Sequence, residues 1–515
     1  MDGIDPIELN LFSSRVSAIC DEMGLVLKRA AFSPNIKDRL DYSCAIFDTN
    51  GEMLAQADHM PVHLGSMAYA MQSIVKDRDW MRGDLLILND PFLGGTHLPD
   101  VTAISPVFSG SSRLGGFVVN RAHHANIGCS TPGSMPISST LEEEGLIIPP
   151  TFLFRAGVLQ EDATQLLGMA HNPLTGDFAA QVGANKIGGI RLEHLIEKMG
   201  WTTYLRNIEQ LNNFAEGISS ATISKLKSGT YKFVDYLDDD GFGTINIKIA
   251  VKMDIVSGFI VLDFTDSSIM VKGNLNCPEA VLAAASYYCF RCMMPPYTPA
   301  CHGLFRNIEI KTREGSILNA KRPAAVAAGN VETSMRAVDA IFGALSKASP
   351  ESVPSASQGT MNNIAMGFID EEKGTRWDYY ETIAGGIGGG PIFRGLDGKH
   401  SHMTNTLNTP VESLEMHYPL RISRYELRRR SGGNGKNRGG NGIIREYEFL
   451  DDAHVTILSE RRTTGPWGLE GGISGDAGLN LFNYSPVPGK CSLKARKGDK
   501  LTILTPGGGG WGSIS

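Results

Sequence analysis

The chain has 515 residues and a formal net charge of −7, with 42% hydrophobic and 20% charged residues. A chain of this length and composition buries a sizeable core over roughly two to four domains, and its dispersed charges exclude a general nucleic-acid-binding protein, which needs a basic face. No apolar run approaches the roughly 18 residues of a membrane span, and the acidic start lacks the basic flank of a signal peptide, so we expect a cytoplasmic protein without a membrane partner.

The N-terminal residues alternate between helical and hairpin patterns. Apolar residues recur at helical spacing over residues 6–31. Residues 43–57 predict a β-hairpin, because Asn50 and Gly51 separate two alternating runs and Asn-Gly is the strongest short hairpin signal. Helical spacing returns over residues 63–76.

A second hairpin follows a loop that is rich in glycine and proline. Residues 84–88 are a short apolar run typical of a buried strand, and residues 89–100 form the loop. Two alternating runs, 101–108 and 116–122, predict antiparallel strands that pair with each other. This pairing would place the end of the loop beside the residues that follow the second strand.

The remaining sequence predicts an α+β protein with a β-rich C-terminal region. Strand-like runs lie within residues 229–264, and from residue 422 onward the chain is β-branched and punctuated by glycine. Helical spacing occurs over residues 191–200, 204–226, 279–294 and 334–347. We therefore expect a mixed multi-domain enzyme subunit with antiparallel hairpins, divided into an N-terminal metal-site region 1–228, a central α+β region 229–350 and a C-terminal region 351–515.

Chemistry-bearing side chains flank the second hairpin. His97 and Asp100 precede its first strand, and His123 and His124 follow its second. Because antiparallel pairing sets the start of one strand beside the end of the other, these side chains should crowd one end of the hairpin. Two imidazoles and a carboxylate make a hydrolytic metal site with an open position for water, and Asp41 before the first hairpin is a further candidate ligand. This donor set suits Zn²⁺ first, with Mn²⁺ or Fe²⁺ as alternatives, and disfavours a soft thiolate site.

Hydrogen-bonded histidines without a metal are the alternative to this site. His59 and His63 lie nearby in sequence, and we interpret them as partners of the ligands or as substrate contacts. Eight cysteines, with Cys289 and Cys292 as the one close pair, indicate buried thiols rather than a disulfide scaffold.

The sequence contains no motif for nucleotide binding or serine hydrolysis. The three Gly-Lys pairs are followed by His400, Asn437 and Cys491, so none completes a P-loop, and the nucleophile elbow G-x-S-x-G is absent. If the reaction uses ATP, another polypeptide must bind it. Glycines cluster in the C-terminal part, and the segment 505–512 is expected either to thread close to other backbone or to a partner, or to be disordered.

An ordered series of motifs runs along nearly the whole chain: DYSCA at 41–45, PVHLGSM at 61–67, NDPFLGGTHLPD at 89–100, RAHH at 121–124 and TPGGGGWG at 505–512. This series resembles the hydantoinase B/oxoprolinase family, which includes N-methylhydantoinase B subunits, caprolactamase, and acetone and acetophenone carboxylase subunits. The resemblance implies that the metal ligands fall on Asp41, His97 and His123, with Asp100 as a further ligand or base. It also implies a hetero-oligomer with a hydantoinase A-type subunit, an actin-like ATPase that phosphorylates the amide oxygen of the substrate.

The resemblance implies a function as the B subunit of an ATP-dependent cyclic amidase of the hydantoinase or 5-oxoprolinase type. In such an enzyme, metal-activated water attacks the phosphorylated amide, and Asp100 or His124 moves the proton. A subunit of an ATP-dependent ketone carboxylase is the first alternative. A non-catalytic scaffold subunit is the second, because Asn126 stands where the family usually has Asp beside the site.

Overall fold

The N-terminal region of the protein is built on an antiparallel sheet. The computed structural model describes residues 5–57, 60–110, 112–129, 131–168, 176–370 and 375–514. The helices of this region are α1 (Pro6–Ala30), α2 (Pro34–Lys37), α3 (Pro61–Val75), α4 (Glu161–Leu166), α5 (Gly176–Met199) and α6 (Trp201–Ile223). Its strands are β1 (Tyr42–Phe47), β2 (Met53–Gln56), β3 (Leu85–Leu88), β4 (Asp100–Ser109), β5 (Arg113–His123), β6 (Thr151–Arg155) and β7 (Val158–Leu159). They form one sheet in the order β2-β1-β5-β4-β3-β6-β7, so both predicted hairpins are confirmed.

Helix α1 buries one apolar face against the rest of this region. Its N-cap residue Asp5 accepts a hydrogen bond from the Ile7 N–H (2.9 Å), which satisfies one of the unpaired donors of the first turn. Phe12 and Met23 are fully buried on the inner face. Gly188 of α5 lies so close to Met23 that a Cβ at this glycine would overlap the methionine sulfur. The two helices therefore pack at close range.

The first hairpin turns at Asn50 and Gly51, as predicted. The Asp48 side chain accepts hydrogen bonds from the backbone N–H groups of Asn50 (2.9 Å) and Glu52 (2.8 Å). Gly51 adopts φ +78°, and a Cβ at this position would lie 2.8 Å from the backbone of Gln72 in α3. The turn therefore needs glycine both for its conformation and for the approach of α3.

Asp48 gives this turn a measurable pH dependence. Burial raises the pKa of its carboxyl to about 6, above the value of about 3.9 in an unfolded chain. The contribution of this group to stability is therefore full below the unfolded pKa and is lost as the pH rises through the folded pKa. Between about pH 5 and pH 7, we expect the free energy of unfolding to fall by about 1 kcal/mol more in the wild type than in Asp48→Asn. Urea denaturation measures this, and an equal fall in both proteins would contradict it.

The second hairpin sets the register that brings distant residues together. Strands β4 and β5 pair with Asp100 opposite His123. Strand β5 also pairs with β1, where Tyr42 lies opposite Ala122. Asp41 directly precedes β1, and its carbonyl accepts a hydrogen bond from the His123 N–H (3.0 Å). The three residues at positions 41, 100 and 123 therefore lie at the same end of the neighbouring strands β1, β4 and β5.

The central region packs helices on a second sheet. Its elements are β8 (Gly229–Asp239), β9 (Ile245–Val256), β10 (Phe259–Asp263), β11 (Ile308–Lys311), α7 (Glu279–Met293) and α8 (Ser334–Ala348). The sheet order is β11-β10-β9-β8, with β10 and β11 parallel and the other neighbours antiparallel. Helix α8 packs on β8 and β9, and α7 packs against both α8 and α3. A π-helical turn, Gly329–Thr333, leads directly into α8.

Two further sheets form the C-terminal region. Its elements are β12 (Asn363–Asp370), β13 (Thr375–Glu381), α9 (Val411–His417), β14 (Leu420–Arg428), β15 (Gly442–Phe449), β16 (Ala453–Leu458), β17 (Leu479–Phe482), β18 (Ser485–Val487), β19 (Lys490–Ala495) and β20 (Lys500–Leu504). The sheet orders are β13-β12-β16-β19 and β14-β15-β20-β17-β18. The predicted β-rich character of this region is confirmed.

Glycine-rich segments beside these sheets lie next to one another and hydrogen-bond through their backbones. The Gly440 N–H donates to Ile387 O (2.8 Å), the Gly508 N–H to Gly440 O (2.9 Å) and the Gly433 N–H to Gly508 O (2.8 Å). Residues 505–510 are all buried, so the expectation that this segment threads close to other backbone is confirmed and that of disorder is wrong. We call these segments the glycine bundle, which comprises residues 385–390, 432–442, 465–478 and 507–512.

The fold as a whole is the predicted mixed α+β arrangement with several antiparallel sheets. One large apolar core contains buried residues from the N-terminal, central and C-terminal regions, and the boundaries near residues 228 and 350 stay a prediction. Within the described ranges, no helix is both long and apolar enough to cross a bilayer.

Candidate metal centre

Three buried side chains converge where strands β4 and β5 of the first sheet begin and end. The ligand atoms of His97, Asp100 and His123 all lie within 4.8 Å of one another. Asp100 Oδ1 lies 3.2 Å from His97 Nε2 and 3.2 Å from His123 Nδ1, and the two imidazole centroids are 5.2 Å apart. The hairpin therefore brings these three residues together, as its strand pairing predicted.

The donor set fits a divalent cation. Within the described part of the chain, His123 Nε2 is buried without a hydrogen-bond partner, and the buried His97 Nε2 lies 3.2 Å from Asp100 Oδ1 without the geometry of a hydrogen bond. Leaving a buried polar atom unpaired costs roughly 1–3 kcal/mol, and a shared cation would remove that cost. Asp100 adds a carboxylate oxygen, so nitrogen and oxygen donors of the kind that Zn²⁺, Mn²⁺ and Fe²⁺ accept face one point.

Asp100 is the electrostatic centre of the cluster. Its Oδ2 accepts a hydrogen bond from Thr96 Oγ1 (2.6 Å) and lies 3.2 Å from His63 Nε2. Burial raises the pKa of Asp100, but His97 and His63 outweigh burial and hold that pKa well below its usual range. Burial alone would lower the pKa of His97, but the attraction of the Asp100 carboxylate is stronger than the effect of burial and raises that pKa. The surroundings of His97 therefore favour a positive charge. Burial lowers the pKa of His123, which favours the neutral imidazole that binds metals.

Asp41 lies at the same cavity but outside the group of three. Its Oδ1 lies 4.0 Å from His63 Nε2, and its Oδ2 lies 3.5 Å from the Arg39 guanidinium. His63 thus stands between Asp41 and Asp100. The sequence interpretation of His63 as a partner of the ligands agrees with this position, whereas His59 lies outside the described residues.

His124 points away from the cluster. Its Nε2 lies 2.9 Å from Gln181 Oε1, and its ring packs 4.5 Å from the Phe178 ring. Consecutive residues of an extended strand face opposite sides, and this alternation separates His124 from His123. Asn126 lines the same separate cavity as His124, which has a volume of about 630 Å³. The structure therefore does not bring His124 to the cluster, and it places the Asn126 side chain outside the lining of the metal cavity.

Residues far along the chain complete the surroundings of the cluster. Tyr380 stacks on His123 with ring centroids 5.0 Å apart and an interplanar angle of 11°, and the Arg39 guanidinium lies 4.7 Å from the Tyr380 centroid. The Asn330 side chain donates to Asp100 Oδ2 (3.4 Å). Tyr380 and Asn330 were not predicted from the sequence, because no local pattern marks a contact with so distant a segment. Asn330 lies in a π-helical turn, a feature that is frequent at functional sites but that the sequence pattern does not mark.

We expect Tyr380 to hold the His123 ring in place. Tyr380→Leu removes the stacked ring and should weaken divalent-metal affinity by about 10- to 100-fold, the range found for groups that orient a ligand. Tyr380→Phe keeps the stacking and should bind metal as the wild type does. Competition with a chelating dye measures the affinity, and a Leu variant with wild-type affinity would contradict this role.

The cluster faces a small cavity of about 20 Å³. This volume is enough for one ion or one water molecule. Apolar and hydroxyl-bearing side chains form the rest of its lining: Met60, Val62, Val331, Met361, Thr382, Thr404 and Thr406. A charge in such surroundings interacts more strongly with its neighbours than it would in water.

The chain matches a family model over nearly its full length. The model is described as hydantoinase B/oxoprolinase and matches residues 5–514. The relative named 5-oxoprolinase 1 from Arabidopsis thaliana is 39% identical over 99% of this chain, which spans 42% of that protein. A relative from a Pseudomonas species, named as the putative B-type subunit of a D-/L-hydantoinase, is 31% identical over 99% of this chain and 90% of its own length.

Two solved structures share the fold. The ATP-dependent caprolactamase of Pseudomonas jessenii superposes with a TM-score of 0.88 and 26% identity, covering 99% of this chain and 92% of that one. An acetone carboxylase superposes with a TM-score of 0.86 and 18% identity, covering 99% of this chain and 76% of that one; at this identity the likeness shows the fold alone. From the match of the family model and the relatives, the chain belongs to the hydantoinase B/oxoprolinase family.

Proposed function

We propose that this chain is the metal-bearing subunit of an ATP-dependent cyclic amidase. The observation that supports it most is the convergence of His97, Asp100 and His123 on one small cavity, where the buried His123 Nε2 has no hydrogen-bond partner within the described residues. The names of the relatives add to this, since 5-oxoprolinase, hydantoinase and caprolactamase are each named for a cyclic amide.

The proposed reaction couples ring opening to ATP. Transfer of the γ-phosphoryl group to the amide oxygen makes the amide carbon more electrophilic. Attack by one water molecule then breaks the ring C–N bond and yields an amine and an acyl phosphate. A second water molecule releases phosphate and leaves the carboxylate. The sum is one ATP and two water molecules converted to ADP, phosphate and the ring-opened amino acid.

The side chains of the cluster would have two roles in activating the attacking water, namely binding the metal and accepting the proton. A divalent cation bound there would supply Lewis-acid chemistry, acidifying water near neutral pH. His97, Asp100 and His123 would hold it, together with Asp41, which the family resemblance implies as a ligand alongside the two histidines. His63 lies 3.2 Å from Asp100 and 4.0 Å from Asp41, so it replaces His124 in our proposal as the group that accepts the proton.

A partner would supply the ATP site. The sequence contains no P-loop, and the Pseudomonas relative is named as one subunit of a hydantoinase. The chain spans only 42% of the Arabidopsis 5-oxoprolinase, which leaves the rest of that protein for other tasks. We therefore propose a hydantoinase A-type ATPase as the partner in a hetero-oligomer.

Copurification with a hydantoinase A-type ATPase tests this function. ATP hydrolysis by the complex is measured with hydantoin, 5-oxoproline and ε-caprolactam, together with the metal content and the ring-opened product. We expect one cyclic amide to stimulate ATP hydrolysis, with product formed in proportion to ADP. If ATP turnover responds to no cyclic amide, the proposal fails. Turnover that instead requires bicarbonate with acetone or acetophenone would indicate a ketone carboxylase.

A further inference from the structure

Glu144 is a buried carboxylate that lies outside the metal cavity. It closes the single helical turn Leu141–Glu144, it is fully buried, and it does not line the cavity of the cluster. The neighbouring Glu143 carboxylate accepts hydrogen bonds from the backbone N–H groups of Ser139 (2.6 Å) and Thr140 (3.4 Å), which hold the turn in place. The Glu144 side chain therefore extends from a well-fixed piece of backbone.

One oxygen of this carboxylate accepts three hydrogen bonds. Glu144 Oε1 accepts from the Ser138 hydroxyl (2.8 Å) and from the backbone N–H groups of Val326 (2.9 Å) and Ala327 (2.9 Å). Val326 and Ala327 are fully buried, so without this acceptor their N–H groups would lose their hydrogen bonds in the interior, which is costly. The carboxylate therefore fixes the backbone of a segment 182 positions further along the chain.

The segment that Glu144 fixes also contacts a candidate ligand. The Ala327 carbonyl oxygen lies 3.3 Å from His97 Nδ1. A carbonyl oxygen can only accept, so Nδ1 carries the proton of this hydrogen bond. The neutral ring then has its lone pair on Nε2, the nitrogen that lies 3.2 Å from Asp100 Oδ1. The Ala327 carbonyl therefore turns the ligand atom of His97 towards the rest of the cluster.

The two histidines of the cluster are oriented by different groups. His123 donates from Nδ1 to Asp100 Oδ1 (3.2 Å) and stacks on Tyr380. Within the described residues, the bond to the Ala327 carbonyl is the one hydrogen bond of the His97 ring. Groups that bond the second nitrogen of a ligand histidine fix its tautomer and its orientation. The orientation of His97 therefore depends on where that carbonyl is held.

The same segment continues into one wall of the metal cavity. The π-helical turn Gly329–Thr333 follows it directly, and Asn330 and Val331 of this turn line the cavity. The Asn330 side chain also donates to Asp100 Oδ2 (3.4 Å). A shift of the backbone that Glu144 holds would therefore be passed on both to His97 and to this wall.

We propose that Glu144 is a positioning residue for the metal centre, because it holds the Ala327 carbonyl at the place from which that carbonyl orients His97. The role belongs to an acceptor oxygen and not to the charge, since all three hydrogen bonds end on Oε1 and the buried Oε2 has no partner within the described residues. The inference rests on the proposed function for the presence of a metal, but the orientation of His97 is a property of the chain alone.

Nitrogen-15 NMR of the metal-free, histidine-labelled chain tests the orientation of His97 directly. At alkaline pH, where the imidazole is neutral, the wild type should carry the ring proton on Nδ1. Glu144→Gln should do the same, because its amide oxygen can accept the same three hydrogen bonds. Glu144→Ala should lose this single tautomer and populate both, and His97→Gln assigns the signal. A wild-type ring protonated on Nε2, or an unchanged tautomer in Glu144→Ala, would overturn the proposal.

Competition between the chain and a chelating dye for Zn²⁺ measures the consequence for the metal. Glu144→Asp keeps the charge but withdraws the acceptor oxygen by one methylene group. This variant and Glu144→Ala should bind Zn²⁺ about 10- to 100-fold more weakly than the wild type, whereas Glu144→Gln should stay close to it. Equal losses in the Gln and Ala variants, or wild-type affinity in the Asp variant, would show that the charge matters and not the position, and would refute the proposed role.

Asp84→Ala is the matched control for a general loss of stability. Asp84 is also buried, and it accepts hydrogen bonds from the backbone N–H groups of Met81 (2.8 Å) and Ala156 (2.7 Å) and from the Arg155 side chain (2.6 Å). It does not line the metal cavity. In urea denaturation this variant should be destabilised as Glu144→Ala is, but it should keep its affinity for Zn²⁺. An equal loss of affinity in both variants would reduce the role of Glu144 to general stability and overturn the proposal.

The two measurements separate this inference from the proposed function. If the wild-type chain binds no Zn²⁺, the proposed function loses its metal centre, whereas the tautomer of His97 still decides whether Glu144 orients the ring. If the wild type binds Zn²⁺ and the Asp and Ala variants bind it equally well, the positioning role fails and the metal centre stands.

Discussion

Replacing Asp100 with Asn is expected to empty the metal centre and abolish ATP-coupled ring opening. The carboxylate lies 3.2 Å from His97, His123 and His63, so its charge supports the whole cluster. Asn keeps the shape but removes the negative charge and one acceptor oxygen. Affinity for the divalent cation should fall by more than about 100-fold, the upper end of the effect of losing a partner of a ligand. Elemental analysis of the purified complex and ADP formation measure the two effects.

Asp48→Asn is the matched control for this variant. Asp48 is also a buried aspartate of the same sheet, 8% exposed, and it follows the far end of β1 from the cluster. The control should keep both the metal and turnover. An Asp100→Asn complex with full turnover would favour the scaffold alternative, in which the chain only completes the assembly of its partner.

The Gly440→Ala substitution is expected to have the largest effect on stability. A Cβ at Gly440 would overlap the carbonyl oxygen of Leu396, and a backbone group cannot turn aside as a side chain can. The Gly440 N–H and carbonyl are also hydrogen-bonded to Ile387 and Gly508 in the glycine bundle. We expect a loss of about 3 kcal/mol or more in the free energy of unfolding, since overpacking of flexible side chains alone reaches that value. Urea denaturation at constant pH measures it.

Gly217→Ala is the control for the glycine variant. Gly217 lies inside α6, and a Cβ there would meet no heavy atom of the described residues within 4 Å. Alanine in an open helical position should raise stability by about 0.5–1 kcal/mol. The critical result is that the free energy of unfolding changes in opposite directions in the two variants. A Gly440→Ala protein as stable as the wild type would show that the glycine bundle can rearrange to accept a side chain.

Local patterns were sufficient to predict the part of the site that the second hairpin carries. Alternation over β4 and β5 fixes their pairing, and pairing alone brings His97, Asp100 and His123 together. The same alternation turns His124 to the opposite face of the sheet. The prediction of His124 at the cluster considered only its position in sequence beside the hairpin and missed this orientation. Tyr380 could not be predicted, because its contact with His123 depends on how two distant regions pack.

The predicted helix over residues 191–200 covered only the last part of α5, which begins at Gly176. Glycines such as Gly188 lower the intrinsic helix propensity of the part of α5 that precedes residue 191. In the folded protein Gly188 instead lets α1 approach closely, since a Cβ would overlap Met23. The packing of α1 on α5 thus outweighs the low helix propensity of glycine. The sequence pattern reports only the helix propensity.

The stack of Tyr380 on His123 has a consequence for metal exchange in the proposed amidase. Tyr380 belongs to a strand of the C-terminal region, whereas the candidate ligands belong to the N-terminal region. The C-terminal region therefore forms one wall of the cavity of about 20 Å³. Separation of the two regions would uncover the cluster, so the rate at which a bound cation exchanges would report on how firmly they pack together.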